Sequence, residues 1–448
     1  MARGRKKENL TPEERLQAAL VPESEQPYKV PENWCWTRIG TILQLQAGKN
    51  IKASAISKIK NNETPFPCFG GNGIRGYVKD YNRDGDFPII GRQGALCGNL
   101  NWASQKFYAT EHAVVVECLP NISNRWAYYI LHWMNLNQYA TATAQPGLSV
   151  AVINQVPIAL PAFKEQQRIV DRIESLFAKL DEAKQKAQDA LDSFETRKAA
   201  ILHKAFTGEL TAQWRKEHGV GMESWETHEL VECFEIVSGI QKTPARSPRH
   251  NPIPYLAVAN VYRNKIDLSD IRYFEVTPEE IEKLKLQDKD ILIVEGNGSG
   301  KEIGRCAMWH NELPLCVHQN HIIRIRNKSP KILPEYVLYY LNSETGKSVM
   351  QERAKTTAGL FNLSAGKVKT IPLPFASLDE QAEIVHILDN LIAKEQQAKE
   401  AAEKVLEQID LIKKSILARA FRGELGTNDP SEESAVELLR QVLSTSDR

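Results

Sequence analysis

Residues 165–210 read EQQRIVDRIESLFAKLDEAKQKAQDALDSFETRKAAILHKAFTGEL, and this stretch decides how the rest of the chain is organised. Its apolar residues return at alternating steps of three and four positions, which gives an apolar seam with a period of about 3.5 residues between polar flanks. Pro161 precedes the stretch and Gly208 ends it, with no Gly or Pro from residue 163 to 207. The pattern predicts one amphipathic helix on the order of 65 Å long.

The partner that such a helix needs is predicted in the same chain. Residues 380–425 read EQAEIVHILDNLIAKEQQAKEAAEKVLEQIDLIKKSILARAFRGEL and align with 165–210 without a gap, with 19 of 46 positions identical. Two helices of merely similar composition would not share the closing AF-x-GEL motif, so we interpret them as an internal repeat. Because an exposed apolar seam is unfavourable in water, we expect the two helices to pair. The pairing seam comprises Ile169, Ile173, Leu176, Leu180, Ile384, Leu388, Leu391 and Ile409.

The bulk composition limits the classes of function. A chain of 448 residues is too long for one ordinary core, so several domains are expected. Its 57 Lys and Arg nearly balance 56 Asp and Glu, so only local clusters of charge can favour nucleic acid. The seven cysteines form no CxxC pair, which is typical of reduced thiols in a cytosolic protein. With no apolar run of membrane-spanning length and no signal peptide, we expect a cytoplasmic protein.

Between the helical stretches lie two blocks of mixed character. Each contains short β-rich runs, Gly, Asn and Asp turns, and one helical run, which together indicate an α+β domain. The predicted fold class is therefore α+β, with two such domains separated by two long antiparallel coiled-coil helices in a pseudo-twofold tandem repeat. The expected segments are an N-terminal tail (1–29), a first α+β domain (30–160), a first helical region (161–210), a linker (211–224), a second α+β domain (225–374), a second helical region (375–425) and a C-terminal tail (426–448).

This architecture has a geometric consequence. Two equal antiparallel helices place the two blocks at opposite ends, much as in a homodimer. Each block can then contact one half-site on a DNA duplex, while the helices set the distance between the half-sites. The blocks share an outline but differ in sequence, so the arrangement predicts an asymmetric, bipartite DNA target.

The order of parts and several motifs resemble the specificity subunit of type I restriction–modification systems. The motifs that carry the resemblance are P-x-x-x-x-EQ-x-x-I from Pro161 to Ile169, AF-x-GELTAQWR at 205–215, AF-x-GEL at 420–425, and the segments 71–78 and 254–275. The resemblance implies that the two α+β domains are target-recognition domains and that this chain performs no covalent chemistry. The chain departs from the repeat after the GEL motifs, where TAQWR follows the first and GTNDP follows the second.

The resemblance also implies the partners. Two modification (methyltransferase) subunits, which carry adenine-N6 methylation, would dock on the outer faces of the helices. Restriction (motor–nuclease) subunits would add ATP-dependent cleavage. S-adenosylmethionine, ATP and Mg²⁺ are the cofactors implied for those partner subunits, and none is expected on this chain.

A stand-alone DNA methyltransferase is the first alternative. Residues 69–73 fit an F-x-G-x-G methyl-donor loop, and residues 251–255 resemble the N-P-P-Y motif. A donor loop needs a preceding buried strand and a following helix, but Pro65 and Pro67 come before these glycines and GYV after them, so a turn between strands fits better. The extra Ile253 would also displace the Pro-Tyr pair that grips an extruded base.

Other motifs depart from their consensus. GNGSGK at 296–301 has Glu295 and Glu302 where a P-loop needs Gly and Ser or Thr. His318 and His321 are the only close histidine pair, and their spacing on a strand-like segment is not typical of zinc, so we expect no metal. A coiled-coil scaffold that binds no DNA is a further alternative, although it would not need two dissimilar, turn-rich blocks.

Candidate base-reading residues are chosen by chemistry. Arg recognises guanine, and Asn or Gln recognises adenine, through paired donors and acceptors. Residues of these types in predicted loops, together with lysines suited to phosphates, are the candidates, and each can equally be a solvated surface side chain. They are Lys49, Asn72, Arg75, Arg92 and Gln93 in the first block, and Gln241, Lys242, Asn260, Arg263, Asn297, Lys301 and Gln319 in the second.

Overall fold

The chain divides into two compact units. The first unit comprises Met1–Ala187 and Lys404–Arg448, and the second unit comprises Gln188–Glu403. Each unit mixes helices and sheets, which confirms the predicted mixed class of fold. The computed structural model describes residues 11–141, 146–296, 303–354 and 362–445.

Most strands are short and lie in the two globular blocks. In chain order they are β1 (Cys35–Arg38), β2 (Leu43–Ala47), β3 (Phe66–Gly70), β4 (Gly73–Val78), β5 (Arg83–Asp84), β6 (Phe87–Gly91), β7 (Leu100–Ala103), β8 (Lys106–Ala109), β9 (Ala113–Cys118), β10 (Pro157–Leu160), β11 (Glu226–Glu229), β12 (Phe234–Ser238), β13 (Pro252–Leu256), β14 (Val261–Tyr262), β15 (Lys265–Ile266), β16 (Arg272–Glu275), β17 (Ile291–Val294), β18 (Cys306–Met308), β19 (Val317–His318), β20 (Ile322–Asn327) and β21 (Pro372–Phe375).

The helices include the two long stretches that the seam predicts. In chain order they are α1 (Pro12–Ala19), α2 (Ile39–Ile42), α3 (Asn124–Trp133), α4 (Val150–Ile153), α5 (Phe163–Asp192), α6 (Phe194–Phe206), α7 (Ala212–His218), α8 (Leu230–Cys233), α9 (Pro278–Leu284), α10 (Pro334–Asn342), α11 (Glu344–Ala354), α12 (Ala365–Lys369), α13 (Leu378–Ala420) and α14 (Ala435–Thr445). In the described ranges, none of these helices is both apolar enough and long enough to cross a membrane.

The two units share most of their strand order. The first unit has the sheets β1-β10, β2-β9-β6-β7 and β4-β3-β8-β5, and the second has β11-β21, β12-β20-β17-β18, β16-β13-β19 and the additional pair β14-β15. In the third sheet of each unit, the central strand has one antiparallel and one parallel neighbour: β3 with β4 and β8, and β13 with β16 and β19. The two blocks, although dissimilar in sequence, therefore have a similar arrangement of strands.

The first helical stretch is not continuous, and the expectation of one unbroken helix over residues 163–207 is wrong. The helix is interrupted at Ser193, between α5 and α6. The Ser193 hydroxyl donates to the carbonyls of Asp189 (2.7 Å) and Ala190 (3.2 Å), and the Arg197 guanidinium also donates to Ala190 O at 3.2 Å. Side chains that compete for these carbonyls disturb the helix locally. The disturbance is confined to one turn, because Ser193 N still donates to Asp189 O (3.1 Å) and Arg197 N to Ser193 O (2.9 Å). By contrast, α13 runs for 43 residues without a break.

The apolar seam is buried mainly where it enters the globular blocks. Ile169 and Ile173 belong to a core with Trp126 and Phe421, whereas Ile384 and Leu388 belong to a core of the second unit. Leu176, Leu180 and Leu391 are only half-buried, while Ile409 is buried. The seam residues thus pack against domain cores as well as against the opposite helix.

Contacts between the long helices lie inside each unit. In the first unit, Lys413 Nζ lies 2.5 Å from Asp181 Oδ1. In the second unit, Arg197 Nη2 lies 2.8 Å from Glu395 Oε2, and Lys399 Nζ lies over the Phe194 ring at 5.0 Å. From 194 to 197 the partner residue number falls from 399 to 395. The two helices of the second unit therefore run in opposite directions.

A buried Glu-Gln pair fastens the start of each helix to its block. In the first junction (Trp34, Glu165, Gln166 and Asn428), Glu165 Oε2 accepts from Trp34 Nε1 at 2.7 Å and from Asn428 Nδ2 at 3.0 Å. Gln166 Oε1 accepts from the Ser123 backbone at 2.9 Å. The segment after the second helix thus secures the start of the first.

The second junction (Thr211, Arg215, Trp225, Glu380 and Gln381) repeats this design with other partners. Glu380 Oε2 accepts from Trp225 Nε1 at 2.8 Å, and Gln381 Oε1 accepts from the Leu333 backbone at 2.9 Å. Glu380 Oε1 accepts from Thr211 Oγ1 (2.7 Å) and Arg215 Nη1 (2.5 Å), both from the segment after the first helix.

Candidate nucleic-acid interface

One concave surface of the first unit brings together three of the predicted base-reading residues. Asn72, Arg75 and Gln93 line a cleft of about 690 Å³, formed by residues 70–75, residues 93–96 and His112. All three side chains are exposed. Asn72 Oδ1 accepts from Asn99 Nδ2 at 3.3 Å, which orients the amide at the rim of the cleft.

The floor of the cleft is a tight turn pressed against the end of β6. A Cβ atom built on Gly91 would lie 1.9 Å from the Gly71 carbonyl oxygen, a distance that no side chain tolerates. Gly73 has φ of +89°, a conformation that glycine adopts without strain. The F-x-G-x-G motif is thus part of the β3–β4 hairpin, which confirms the expectation of a turn between strands.

Arg92 and Lys49 lie outside the cleft lining. Arg92 is half-buried, and its side chain lies beside the apolar Leu45 and Leu148. Lys49 is exposed and follows Gly48, whose missing side chain lets the backbone pass over β8, since a Cβ there would lie 2.1 Å from Ala109 O. Lys49 is thus exposed to solvent, and its predicted contact with a phosphate stays a prediction, whereas Arg92 is partly engaged in packing.

The second unit repeats this crossing of the backbone. A Cβ on Gly239 would lie 2.0 Å from His318 O, so only glycine fits there. Gln241 and Lys242, which follow, are exposed, and Gln319 is half-buried with its N–H donating to Leu256 O at 3.0 Å. Asn297 and Lys301 lie outside the described residues.

Asn260 does not lie on an exposed reading loop, contrary to the prediction. Only 3% of the residue is exposed. Its Oδ1 accepts from the Ala257 backbone at 2.8 Å, and its Nδ2 donates to the carbonyls of Asp267 (2.8 Å) and Asp270 (3.2 Å). The amide therefore holds the loop before β14 together and has no capacity left for a base.

Arg263 is also turned toward its own domain. It sits in the β14–β15 hairpin and is half-buried. Its guanidinium donates to the carbonyls of Ile303 (3.4 Å) and Gly304 (3.5 Å) and to Asn342 Oδ1 at 3.4 Å. We therefore assign Arg263 a role in holding the hairpin, in place of the predicted contact with a base.

The histidine pair considered for zinc is split by the fold. His318 is fully buried in β19, and burial lowers its pKa to about 4. His321 lies past the end of that strand, and more than half of its side chain is exposed. In the described part of the chain, no cluster of His, Cys, Asp and Glu has the geometry to hold a metal ion.

The N-P-I-P-Y motif is likewise structural. Tyr255 is buried and stacks on Phe274 with ring centroids 3.5 Å apart. Asn251 Nδ2 donates to Val276 O at 2.8 Å. The tyrosine is thus engaged inside the β13–β16 pair and the asparagine just beyond its end, and neither is available to hold an extruded base.

One residue of the cleft was missed by selection on residue type. His112 lines the first-unit cleft beside the predicted readers. It follows β8 in a T-E-H-A segment that carries no recognised motif, so only the strand register identifies it. A histidine ring can donate to phosphate or to guanine acceptors.

Comparison with known proteins agrees with this architecture. The family model of the type I restriction modification DNA specificity domain matches twice, over residues 31–191 and 222–408. The chain is 47% identical over 141 residues to the specificity subunit of the type I restriction enzyme EcoprrI of Escherichia coli, covering 31% of this chain and 35% of the relative. It is 26% identical over 440 residues to the StySPI specificity subunit of Salmonella potsdam, covering 89% of this chain and 90% of that subunit.

A solved structure shows the same fold. The HsdS subunit from Thermoanaerobacter tengcongensis matches with a TM-score of 0.61 and 17% identity, covering 90% of this chain and 100% of that chain. The family matches fall on both α+β domains and on most of the long helices, and together they take in well over half of the sequence. The chain therefore belongs to the type I restriction modification DNA specificity family.

Proposed function

We propose that this chain is the DNA specificity subunit of a type I restriction–modification assembly and that it binds an asymmetric, bipartite duplex target. The observation that carries the proposal is that two units with a similar strand order present different side chains at equivalent places. Arg92 in the first unit and Glu295 in the second each follow the equivalent strand, β6 or β17, and each donates its N–H to the carbonyl of a following histidine at 2.9 Å. Opposite charges at equivalent positions favour two different half-sites.

The long helices act as the spacer between the half-sites in this proposal. Opposite chain directions in the second unit and the Asp181–Lys413 pair in the first support an antiparallel coiled coil with a pseudo-twofold axis. The α3 and α10 helices support a rigid attachment of the blocks. Tyr129 OH lies 3.3 Å from Glu174 Oε1, and Tyr339 OH lies 2.5 Å from Asp389 Oδ1, at matching positions of the repeat.

The chemistry in this proposal belongs to partner subunits. Two modification subunits bind the outer faces of the helices, and restriction subunits join them, as the names of the related specificity subunits of type I restriction enzymes suggest. S-adenosylmethionine, ATP and Mg²⁺ are bound by those partners, and the assembly works in the cytoplasm, where it meets the DNA.

Selection from a randomised duplex library tests the proposal. The purified full chain should enrich duplexes with two fixed blocks of different sequence, separated by a spacer of constant length. Binding should weaken steeply with salt, because contacts to phosphates release counterions. Enrichment of one contiguous block, or transfer of labelled methyl groups by the chain alone, would contradict the proposal.

A further inference from the structure

The two units place an identical side chain at the same point of the fold. His112 O accepts from Arg92 N at 2.9 Å, and His321 O accepts from Glu295 N at 2.9 Å. Both histidines immediately precede the strand that pairs with β6 or β17. The same register recurs in two further pairs of backbone hydrogen bonds: Thr110 N to Phe69 O and Gln319 N to Leu256 O (both 3.0 Å), and Ala113 N to Thr110 O and Ile322 N to Gln319 O (both 2.9 Å).

Each of the two histidines lies beside a carboxylate and retains an exposed surface. His112 Nε2 lies 3.3 Å from Glu111 Oε1, with 39% of the histidine side chain exposed. His321 Nδ1 lies 3.5 Å from Glu295 Oε2, with 55% exposed. The two carboxylates, Glu111 and Glu295, are not at equivalent positions of the fold, although each lies beside the equivalent histidine.

A purely structural role does not account for this pair. A histidine kept for packing is buried, as is the neighbouring His318, which is 0% exposed. By contrast, His112 borders the cleft. Its buried Nδ1 has no hydrogen-bond partner in the described part of the chain. Buried polar atoms of folded proteins are nearly always bonded, so the unpaired Nδ1 means that no hydrogen bond from this atom holds the ring in its present orientation.

A side chain that is the same in both units should contact a part of the DNA that is the same in both half-sites. The flanking residues differ: Arg92 of the first unit is equivalent to Glu295 of the second, and Glu111 is equivalent to Asn320. Side chains that read bases should differ between the two units, as these flanking residues do, because the two half-sites differ in sequence. The sugar–phosphate backbone is the part of DNA that is the same in every sequence, and contacts to it fix the register of the protein.

We propose that His112 and His321 each bind one phosphate of the DNA backbone, one in each half-site, and so set the position of the two units on the duplex. An imidazolium has two N–H donors, so one can face the neighbouring carboxylate while the other donates to a phosphate oxygen. In His321, Nδ1 faces Glu295, so Nε2 is the nitrogen that can donate to a phosphate. In His112, Nε2 faces Glu111 and Nδ1 is covered, so this ring must rotate to present an N–H. The inference rests on the proposed DNA-binding function.

Alanine and arginine substitutions test the contact in the full chain. His321→Ala should weaken binding about 2- to 10-fold, the range for one lost hydrogen bond. The loss should be equal on the selected duplex and on a scrambled duplex of the same length. The slope of log affinity against log salt should fall by about one, and His321→Arg should restore both values. His112→Ala and His112→Arg should behave in the same way.

A matched control separates this contact from the general loss of an exposed histidine. His310 in the second unit is 62% exposed and lies 3.6 Å from Asp288 Oδ1. His310→Ala should leave affinity unchanged. The thermal unfolding midpoint of each variant shows whether it folds, and His321→Arg remains informative if His321→Ala does not.

Neutral methylphosphonates, placed one at a time along the selected duplex, identify the phosphate. For the unsubstituted chain, a methylphosphonate at one position in each half-site should lower affinity. At one of these positions His321→Ala should bind the substituted and unsubstituted duplexes equally, and at the other His112→Ala should do so. Unchanged affinity in both alanine variants, or a changed preference between the selected and scrambled duplexes, would overturn the inference. Failure of the unsubstituted chain to bind any bipartite duplex would instead refute the proposed function.

Discussion

The two junctions keep the same Glu-Gln pair but hold the glutamate in different ways. Glu380 lies in the second junction with the Arg215 guanidinium 2.5 Å away, and both side chains are nearly fully buried. Glu165 lies in the first junction, where its Oε2 accepts from two neutral donors and its Oε1 has no partner among the described residues. One junction is a buried ion pair, and the other is a buried carboxylate held by an indole and an amide.

The difference shows which part of the repeat is constrained. The glutamate and the tryptophan indole that bonds to it recur in both units, so they fix the angle between helix and block. The third partner comes from the segment after the opposite helix, where TAQWR and GTNDP diverge. That segment needs only a donor at the right place, and Arg215 or Asn428 supplies it. TAQWR and GTNDP therefore differ in which residue donates to the junction glutamate, while the structural role of the segment is the same.

The largest expected effect comes from breaking the ion pair. Glu380→Gln should lower the free energy of unfolding by about 3–5 kcal/mol, because it leaves the buried Arg215 charge without a counter-ion. The matched Glu165→Gln removes no ion pair and keeps an acceptor for Trp34 and Asn428, so it should change stability by less than about 1 kcal/mol. Urea unfolding of both variants, followed by tryptophan fluorescence, measures the difference.

A double variant serves as the control for this comparison. Arg215→Met combined with Glu380→Gln removes both charges and should recover part of the stability that Glu380→Gln loses. Equal losses in Glu380→Gln and Glu165→Gln would mean that the ion pair is not what distinguishes the junctions.

Two arginines chosen by the same sequence criterion provide the next comparison. Arg75→Ala, in the first-unit cleft, should weaken binding of the selected duplex by about 1–3 kcal/mol if the guanidinium bonds to a base. The effect should vanish on duplexes in which only the first unit's half-site is scrambled. Arg263→Ala should instead destabilise the second unit, because its guanidinium bonds to Ile303, Gly304 and Asn342. A titration of labelled duplex, beside urea unfolding, distinguishes the two outcomes.

Much of the fold could be predicted because its signal is periodic and repeated. The helices at 163–206 and 378–420 lie where the seam predicts them. The break at Ser193 could not be foreseen, because a serine inside a helix is only mildly unfavourable and its effect depends on Arg197 reaching the same carbonyl. The sequence also could not show that seam residues such as Ile169 pack into a domain core.

The site was harder to predict, because residue type does not show which bonds a side chain has already made. Asn260 has the amide group that recognises adenine, but both its Oδ1 and its Nδ2 are already hydrogen-bonded to the backbone of its own loop. Asn72 and Arg75 have the same kind of sequence context and remain exposed in the cleft. The equivalence of His112 and His321 depends on strand register, which the dissimilar sequences of the two blocks do not reveal.

A pH titration sharpens the comparison of the junctions. Burial raises the pKa of Glu165, and the hydrogen bonds from Asn428 and Trp34 offset part of that rise. The folded chain therefore binds this proton more tightly than the unfolded chain does. Relative to Glu165→Gln, the unsubstituted chain should gain stability as pH falls from neutrality through the folded pKa, until the unfolded carboxyl is protonated as well. Urea unfolding of both chains between neutral and mildly acidic pH measures this, and a difference that is constant with pH would contradict it.

The smallest expected effect concerns the break between α5 and α6, which α13 lacks. Ser193→Ala removes the hydroxyl that bonds to Asp189 and Ala190, so the helix should gain a few tenths of a kcal/mol, about the difference in propensity between serine and alanine. The matched substitution at the equivalent position of α13, Gln408→Ala, should produce a similar gain in propensity without removing any break. A larger gain for Ser193→Ala in urea unfolding would show that the hydroxyl strains the helix. Equal gains would show that the break is tolerated at no cost, because the Arg197–Glu395 pair holds the second unit's helices together on that side.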